Sequence, residues 1–168
     1  MRAVTEPMTT GAGAPPARRR RPRALWGLAG LLAFLSLGGF AGGIPLLLDP
    51  TGRGLGVETA WLERTPVDDY LLPGFFILGV YGFGGLVTLV GIVSRWSPGA
   101  LRGFDRWSAR HWSWWASAAI GSVLVIWIVY EYAVLPRTMW LMPTLLVTGA
   151  LLVAFALLPS IRRYAAVP

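Results

Sequence analysis

The chain has no cysteine and a single histidine, His111. Without thiols there can be no disulfide, no thiolate nucleophile and no Cys-ligated metal or cluster. One imidazole cannot build a bis-His haem or a His-rich zinc site within one chain. Lysine is missing as well, so all fifteen basic residues are arginine. Charged residues make up only 14% of the 168, against 55% hydrophobic, and the mean hydropathy is +0.57. Such proportions point to a bilayer rather than water as solvent. The net charge of +7 sits beside apolar runs and forms no stripe on a soluble domain, which sets nucleic acid aside as a partner. Arginine-only basicity with abundant Ala, Gly and Pro is the usage of a GC-rich bacterial genome. No cofactor is implied.

Against that background, residues 18 to 48 organise the rest. Arg18, Arg19, Arg20, Arg21 and Arg23 precede a run from Ala24 to Leu48 that carries no charge. At about 1.5 Å per residue this run can cross a roughly 30 Å hydrocarbon core. It is too long for a signal-peptide core and ends without an A-x-A-like site, which argues against cleavage. Three further spans are expected, at about 70–94, 112–135 and 138–158. The expected fold is therefore all-α: a polytopic four-helix transmembrane domain over 24–163. A disordered basic tail over 1–23 precedes it, and 164–168 form a short tail end.

The connections are also readable. Within residues 49–65, Val57 to Arg64 has the pattern of two helical turns lying on the membrane. Thr65-Pro66-Val67-Asp68 reads as a helix start, with Thr65 as N-cap and Pro66 at the first position. Between spans two and three, Arg95 to Trp112 is amphipathic if helical. Leu101, Phe104, Trp107, His111 and Trp112 fall on one side and Arg102, Arg106 and Arg110 on the other, as in an interfacial helix. Small residues four or three apart mark candidate packing faces. These are Gly38, Gly39, Gly42 and Gly43 in span one, Gly79, Gly82 and Gly85 in span two, and Ser117 and Gly121 in span three.

Arginine placement gives a direction. Twelve of the fifteen fall on segments that share one side of the membrane, and only Arg53, Arg64 and Arg137 fall on the other. The positive-inside bias then puts both termini in the cytoplasm of a bacterial inner membrane. Anionic lipid headgroups are the expected counter-charge for Arg18, Arg19, Arg20, Arg21, Arg102, Arg106 and Arg110, each worth about 1 kcal/mol near the surface. A second copy or another membrane protein is the expected partner of the glycine faces.

Glu131 is the one carboxylate inside a span, and an ionisable residue there is a functional candidate. Its insertion cost, below the roughly 2.5–3.5 kcal/mol of a mid-helix Asp, is offset by nine Ile, Leu and Val residues at about −0.3 to −0.6 kcal/mol each. Two readings follow. In one, Glu131 is an interfacial side chain bonded to Arg137, Arg64, a tyrosine or water. In the other it is the acid of a ligand pocket that opens outward, with Trp127 and Tyr130 beside it and Tyr70 and Arg137 at the rim. No Ser/His/Asp arrangement exists, because His111 belongs to the opposite side, and no second buried acid is expected.

The stretch Asp49-Pro50-Thr51-Gly52, with Leu55-Gly56 and Thr65-Pro66-Val67-Asp68-Asp69-Tyr70-Leu71-Leu72-Pro73-Gly74, resembles small four-span bacterial integral membrane proteins. That group carries no described function to transfer. Four-span families that use paired cysteines, a first-span acid or several intramembrane acids fit poorly. The expectation is a non-enzymatic protein that packs helices or binds lipid. The competing expectation is a small-molecule carrier or lipid-modifying protein working through Glu131.

Overall fold

A computed structural model of the chain describes residues 21–134 and 140–167. Arg18, Arg19, Arg20 and Arg137, and the tail expected to be disordered as far as residue 20, lie outside the described residues. Among the described residues the elements are helical, with one isolated bridge pairing Arg110 with Ala166.

Helix α1 runs over Arg23–Leu48. A stripe of Leu25, Leu28, Leu32, Leu35, Ser36, Gly39, Gly43 and Leu46 is buried along it. This is the three-and-four spacing of one helix face. Leu37 and Leu48, on the other face, are 71% and 81% exposed. The second long element is continuous over Leu71–Ser94. It comprises α2 (Leu71–Phe76), a π-helical segment (Ile77–Phe83) and α3 (Gly84–Ser94). Helix α4 (Arg102–Ser108) follows, then α5 (Trp112–Val134), α6 (Leu141–Leu157) and α7 (Pro159–Ala165).

Three of these elements are long and apolar enough to cross a membrane, and α6 with α7 makes a fourth if that pair, bent by 65°, is one span. The bend follows from local chemistry. Leu158, before a proline, is extended, and Pro159 occupies the first turn of α7, where its missing N–H is harmless.

Helix α1 packs on the second element and on α6, α3 packs on α5, and α5 packs on α6. Close approach depends on glycine. A Cβ at Gly39 would lie 2.3 Å from the Gly82 nitrogen, and one at Gly43 would lie 2.7 Å from Leu78 Cβ. Gly121 and Gly149 play the same role between α5 and α6, each with its partner's carbonyl oxygen 3.0 Å from where a Cβ would stand. The π-helical segment lies at the α1 contact, with Gly84 N–H bonded five residues back to Gly79. The Ser36 hydroxyl donates to the Gly82 carbonyl at 2.8 Å across that crossing.

Not every glycine of the expected faces is used. Gly85 and Ser117 are buried, whereas Gly38 and Gly79 are exposed with no atom within 4 Å of a Cβ position. Gly42 meets only Ile77 Cγ2, at 3.8 Å.

The connections differ from expectation. The helix in the second connection is short, because Ala109 adopts a left-handed conformation (φ 53°) and stops it. Leu101, Phe104 and Trp107 therefore do not share a helix with His111 and Trp112. In the first connection a single turn over Thr59–Leu62 replaces two. Thr65 caps nothing: its hydroxyl donates to the carbonyls of Leu62 and Val67. Asp69 supplies the cap instead, accepting the Leu71 N–H at 2.9 Å. The pattern Thr-Pro-x-Asp was legible, but the chain makes a tight turn there before the helix begins.

Candidate functional site

The helical ends form two polar regions. The distal end carries residues 49–70 and the last turns of α5. The proximal end gathers Arg95, Asp105, His111 and α7.

At the distal end the second element and α5 run antiparallel. Phe76 stacks on Trp127 near one end (centroids 4.8 Å apart, planes 21° apart), while the Trp112 ring fills the space left by Gly91 at the other. Side chains on a helix lean towards its N-terminus. Tyr81 on the π-helical segment therefore leans towards the distal end, Glu131 on α5 leans away from it, and both border the Phe76–Trp127 stack. Phe76 lies between them in level, with its ring edge-on to Tyr81 at 5.5 Å. Glu131 accepts a hydrogen bond from Trp127 Nε1 at 2.7 Å, one helical turn below it. Tyr81 is only 3% exposed, and its hydroxyl has no hydrogen-bond partner among the described residues. A buried phenol without a partner costs about 1–3 kcal/mol.

The other expected site residues are placed as follows. Tyr130 is 44% exposed, its ring centroid 6.5 Å from that of Trp127. Tyr70 is buried against Leu46 and Leu62, and its hydroxyl donates to the Glu58 carbonyl at 2.9 Å. Tyr70 thus belongs to the wall of the first connection. Gly52, at φ 75°, makes room for its ring. Asp49 closes the same loop by accepting from the Thr51 hydroxyl at 2.6 Å, which holds its carboxyl below the usual range. Of the partners expected for Glu131, Arg64 makes no ion pair with it among the described residues. Phe76 and Tyr81 were missed. The available signal was a tyrosine inside an uncharged, glycine-rich span.

The proximal end is differently built. Asp105 is 5% exposed. It accepts the Ser97 hydroxyl and the Trp112 N–H, both at 2.6 Å, and so caps the start of α5 from another helix. His111 Nδ1 pairs with the Ser113 hydroxyl at 2.7 Å, while Nε2 has no hydrogen bond among the described residues. Burial pulls its pKa below the ordinary value; the Asp105 charge and the Arg95 carbonyl oppose this, and the Arg95 charge assists it. The Arg95 guanidinium donates to the carbonyls of Tyr164 and Ala166, and the His111 N–H donates to Ala165 at 2.8 Å. Arg110 lies over the Trp114 ring at 4.5 Å, whereas Arg102 and Arg106 are exposed. His111 is thus a buried member of a seam between α4, α5 and α7, and not an interfacial side chain.

Among the described residues no group of three or more His, Asp or Glu could hold a metal. No protein-family model, curated protein or solved structure matches the chain.

Proposed function

We propose that this chain is a multi-pass protein of a bacterial cytoplasmic membrane that works by binding rather than by catalysis. It crosses the bilayer four times as a helical bundle, with the proximal end and both termini in the cytoplasm. Arg21, Arg23, Arg102 and Arg106, all exposed, meet anionic headgroups there, together with Arg18, Arg19, Arg20 and Arg110. The distal end takes a lipid or small apolar molecule at Glu131.

One observation carries the binding reading: an acid held by Trp127, above a buried Tyr81 hydroxyl with no hydrogen-bond partner among the described residues. A bundle that needed this cluster only for packing would gain by placing phenylalanine at position 81. Native mass spectrometry in lipid nanodiscs tests the reading. The wild-type chain is expected to retain bound lipid or small molecule that Trp127→Leu loses. Retention equal in both would sink it.

A second reading is favoured by Gly38 and Gly79, which are exposed and open while their neighbours pack. They flank the crossing of α1 with the second element and would admit a helix of another copy or of a partner. Loss of a stoichiometric partner on Gly38→Leu would support that role.

A further inference from the structure

We infer that the distal site takes a primary ammonium group carried on an apolar body. The inference rests on the binding reading above and names the chemistry of its ligand.

Two polar groups border the Phe76–Trp127 stack there and ask for complementary things. Glu131 presents a carboxylate, and an opposite charge is the partner that most offsets holding an acid within a span. Tyr81 presents a hydroxyl that is 3% exposed and unpartnered among the described residues. A neutral apolar guest would leave both groups as they are. An anion would be repelled by the carboxylate. A metal ion would find one carboxylate where several oxygen ligands are needed. A primary ammonium has three N–H donors and one positive charge. It can donate to the carboxylate of Glu131 and to the Tyr81 hydroxyl together. The hydroxyl then accepts, which its isolation from other acceptors permits.

The walls fit the rest of such a molecule. Phe76 and Trp127 stack at the level between the two polar residues, and the exposed ring of Tyr130 lies with its centroid 6.5 Å from that of Trp127. A cation near these rings gains from their quadrupoles, and an apolar body gains from contact with the rings and with lipid. The second element reaches this arrangement through its π-helical segment, which carries Tyr81 and keeps Gly82 against Gly39. Such insertions recur at functional sites.

An ammonium of this kind has two sources, a free lipophilic amine or the headgroup of phosphatidylethanolamine. Both are tested by thermal unfolding of the full chain in nanodiscs of phosphatidylglycerol, which lacks an ammonium. Phenethylamine, protonated at neutral pH, is the probe, and propylbenzene is its neutral isostere. Stabilisation by phenethylamine is expected, with propylbenzene at least about tenfold weaker. Glu131→Gln should abolish the difference between the two. Tyr81→Phe, which keeps the ring and the fold, should weaken phenethylamine several-fold while leaving propylbenzene unchanged. Replacing the lipid with phosphatidylethanolamine then separates the sources: competition with the probe assigns the lipid headgroup, and an unchanged response assigns a free amine. If the two probes act alike but still depend on Trp127, binding stands and the ammonium assignment falls. If neither probe acts and phosphatidylethanolamine confers no Glu131-dependent stability, both fall.

Discussion

Asp105 and Glu131 are both acids set among tryptophans at opposite ends of α5, and they are satisfied very differently. Asp105 has each oxygen engaged, one by the Ser97 hydroxyl and one by the Trp112 backbone. Glu131 has one side-chain donor, Trp127, from its own helix, and the Tyr81 hydroxyl, on the far side of the Phe76–Trp127 stack from it in level, bonds to nothing among the described residues. The first acid ties three segments together: the start of the connection, α4 and α5. The second ties nothing. Burial alone therefore does not separate a structural carboxylate from a functional one. What separates them is whether the fold has already used its lone pairs.

The largest expected effect is at Asp105. Asp105→Ala strands the buried Trp112 N–H and the Ser97 hydroxyl at once, and should cost about 3 kcal/mol. Thermal unfolding in detergent micelles would read it as the strongest single destabilisation of either end. Asp105→Asn keeps one acceptor and should fall between. If Asp105→Ala unfolds like the wild type, the proximal acid is not structural and the contrast between the two ends dissolves.

Next in size is Gly39→Ala. The added methyl would press on the Gly82 backbone, which cannot move aside as a flexible side chain would. Overpacking of this kind costs about 2 kcal/mol. Gly38→Ala, one residue away and open, should stay within about 0.5 kcal/mol of wild type. Because Gly82 follows Tyr81, Gly39→Ala should also disturb the distal site, measurable as a change in Trp127 fluorescence. Asp105→Ala should leave that signal alone.

How much of this could be read from residues alone differs between the two ends as well. Hydropathy located the long elements closely, because a span needs only length and uncharged composition: about 70–94 was expected and Leu71–Ser94 is found. Glu131 and Trp127, one helical turn apart, were legible as a pair for the same reason. Tyr81 was not. Its place beside the Phe76–Trp127 stack depends on the antiparallel register of two helices and on the π-helical segment, and neither is written in local spacing. The glycine faces were legible as small-residue patterns, but the pattern does not say which of Gly38 and Gly39 points inward. At the proximal end the helical period was followed through Ala109, where the backbone turns left-handed. Tertiary bonds hold that turn, since Val167 N–H reaches the Ala109 carbonyl at 3.1 Å. Nor does local spacing single out Asp105, because its partners Ser97 and Trp112 lie on other segments.

A smaller effect should appear with pH at the proximal end. Burial holds His111 neutral, with its pKa below the ordinary value of about 6.5. Below 6.5 the unfolded chain therefore takes up a proton that the folded chain resists. Stability is fully present above that value and declines as pH falls from it towards the lower folded pKa. Following the unfolding midpoint from pH 7.5 to 5.5 should show the decline in wild type and its loss in His111→Gln. A decline that persists in His111→Gln would assign the titration to another group.

The smallest expected change in stability is at Glu131, and it is the sharpest test of the contrast. Glu131→Gln keeps an oxygen to accept the Trp127 N–H and removes a charge that the span must otherwise accommodate. The weaker neutral hydrogen bond and the relieved charge act in opposite directions, so the net change should lie within about 0.5 kcal/mol. The unfolding midpoint without added ligand should be almost unmoved, in the background where Asp105→Ala fails. A Glu131→Gln loss as large as that of Asp105→Ala would make both acids structural, and the open Tyr81 hydroxyl would then be a packing defect with no ligand to explain it.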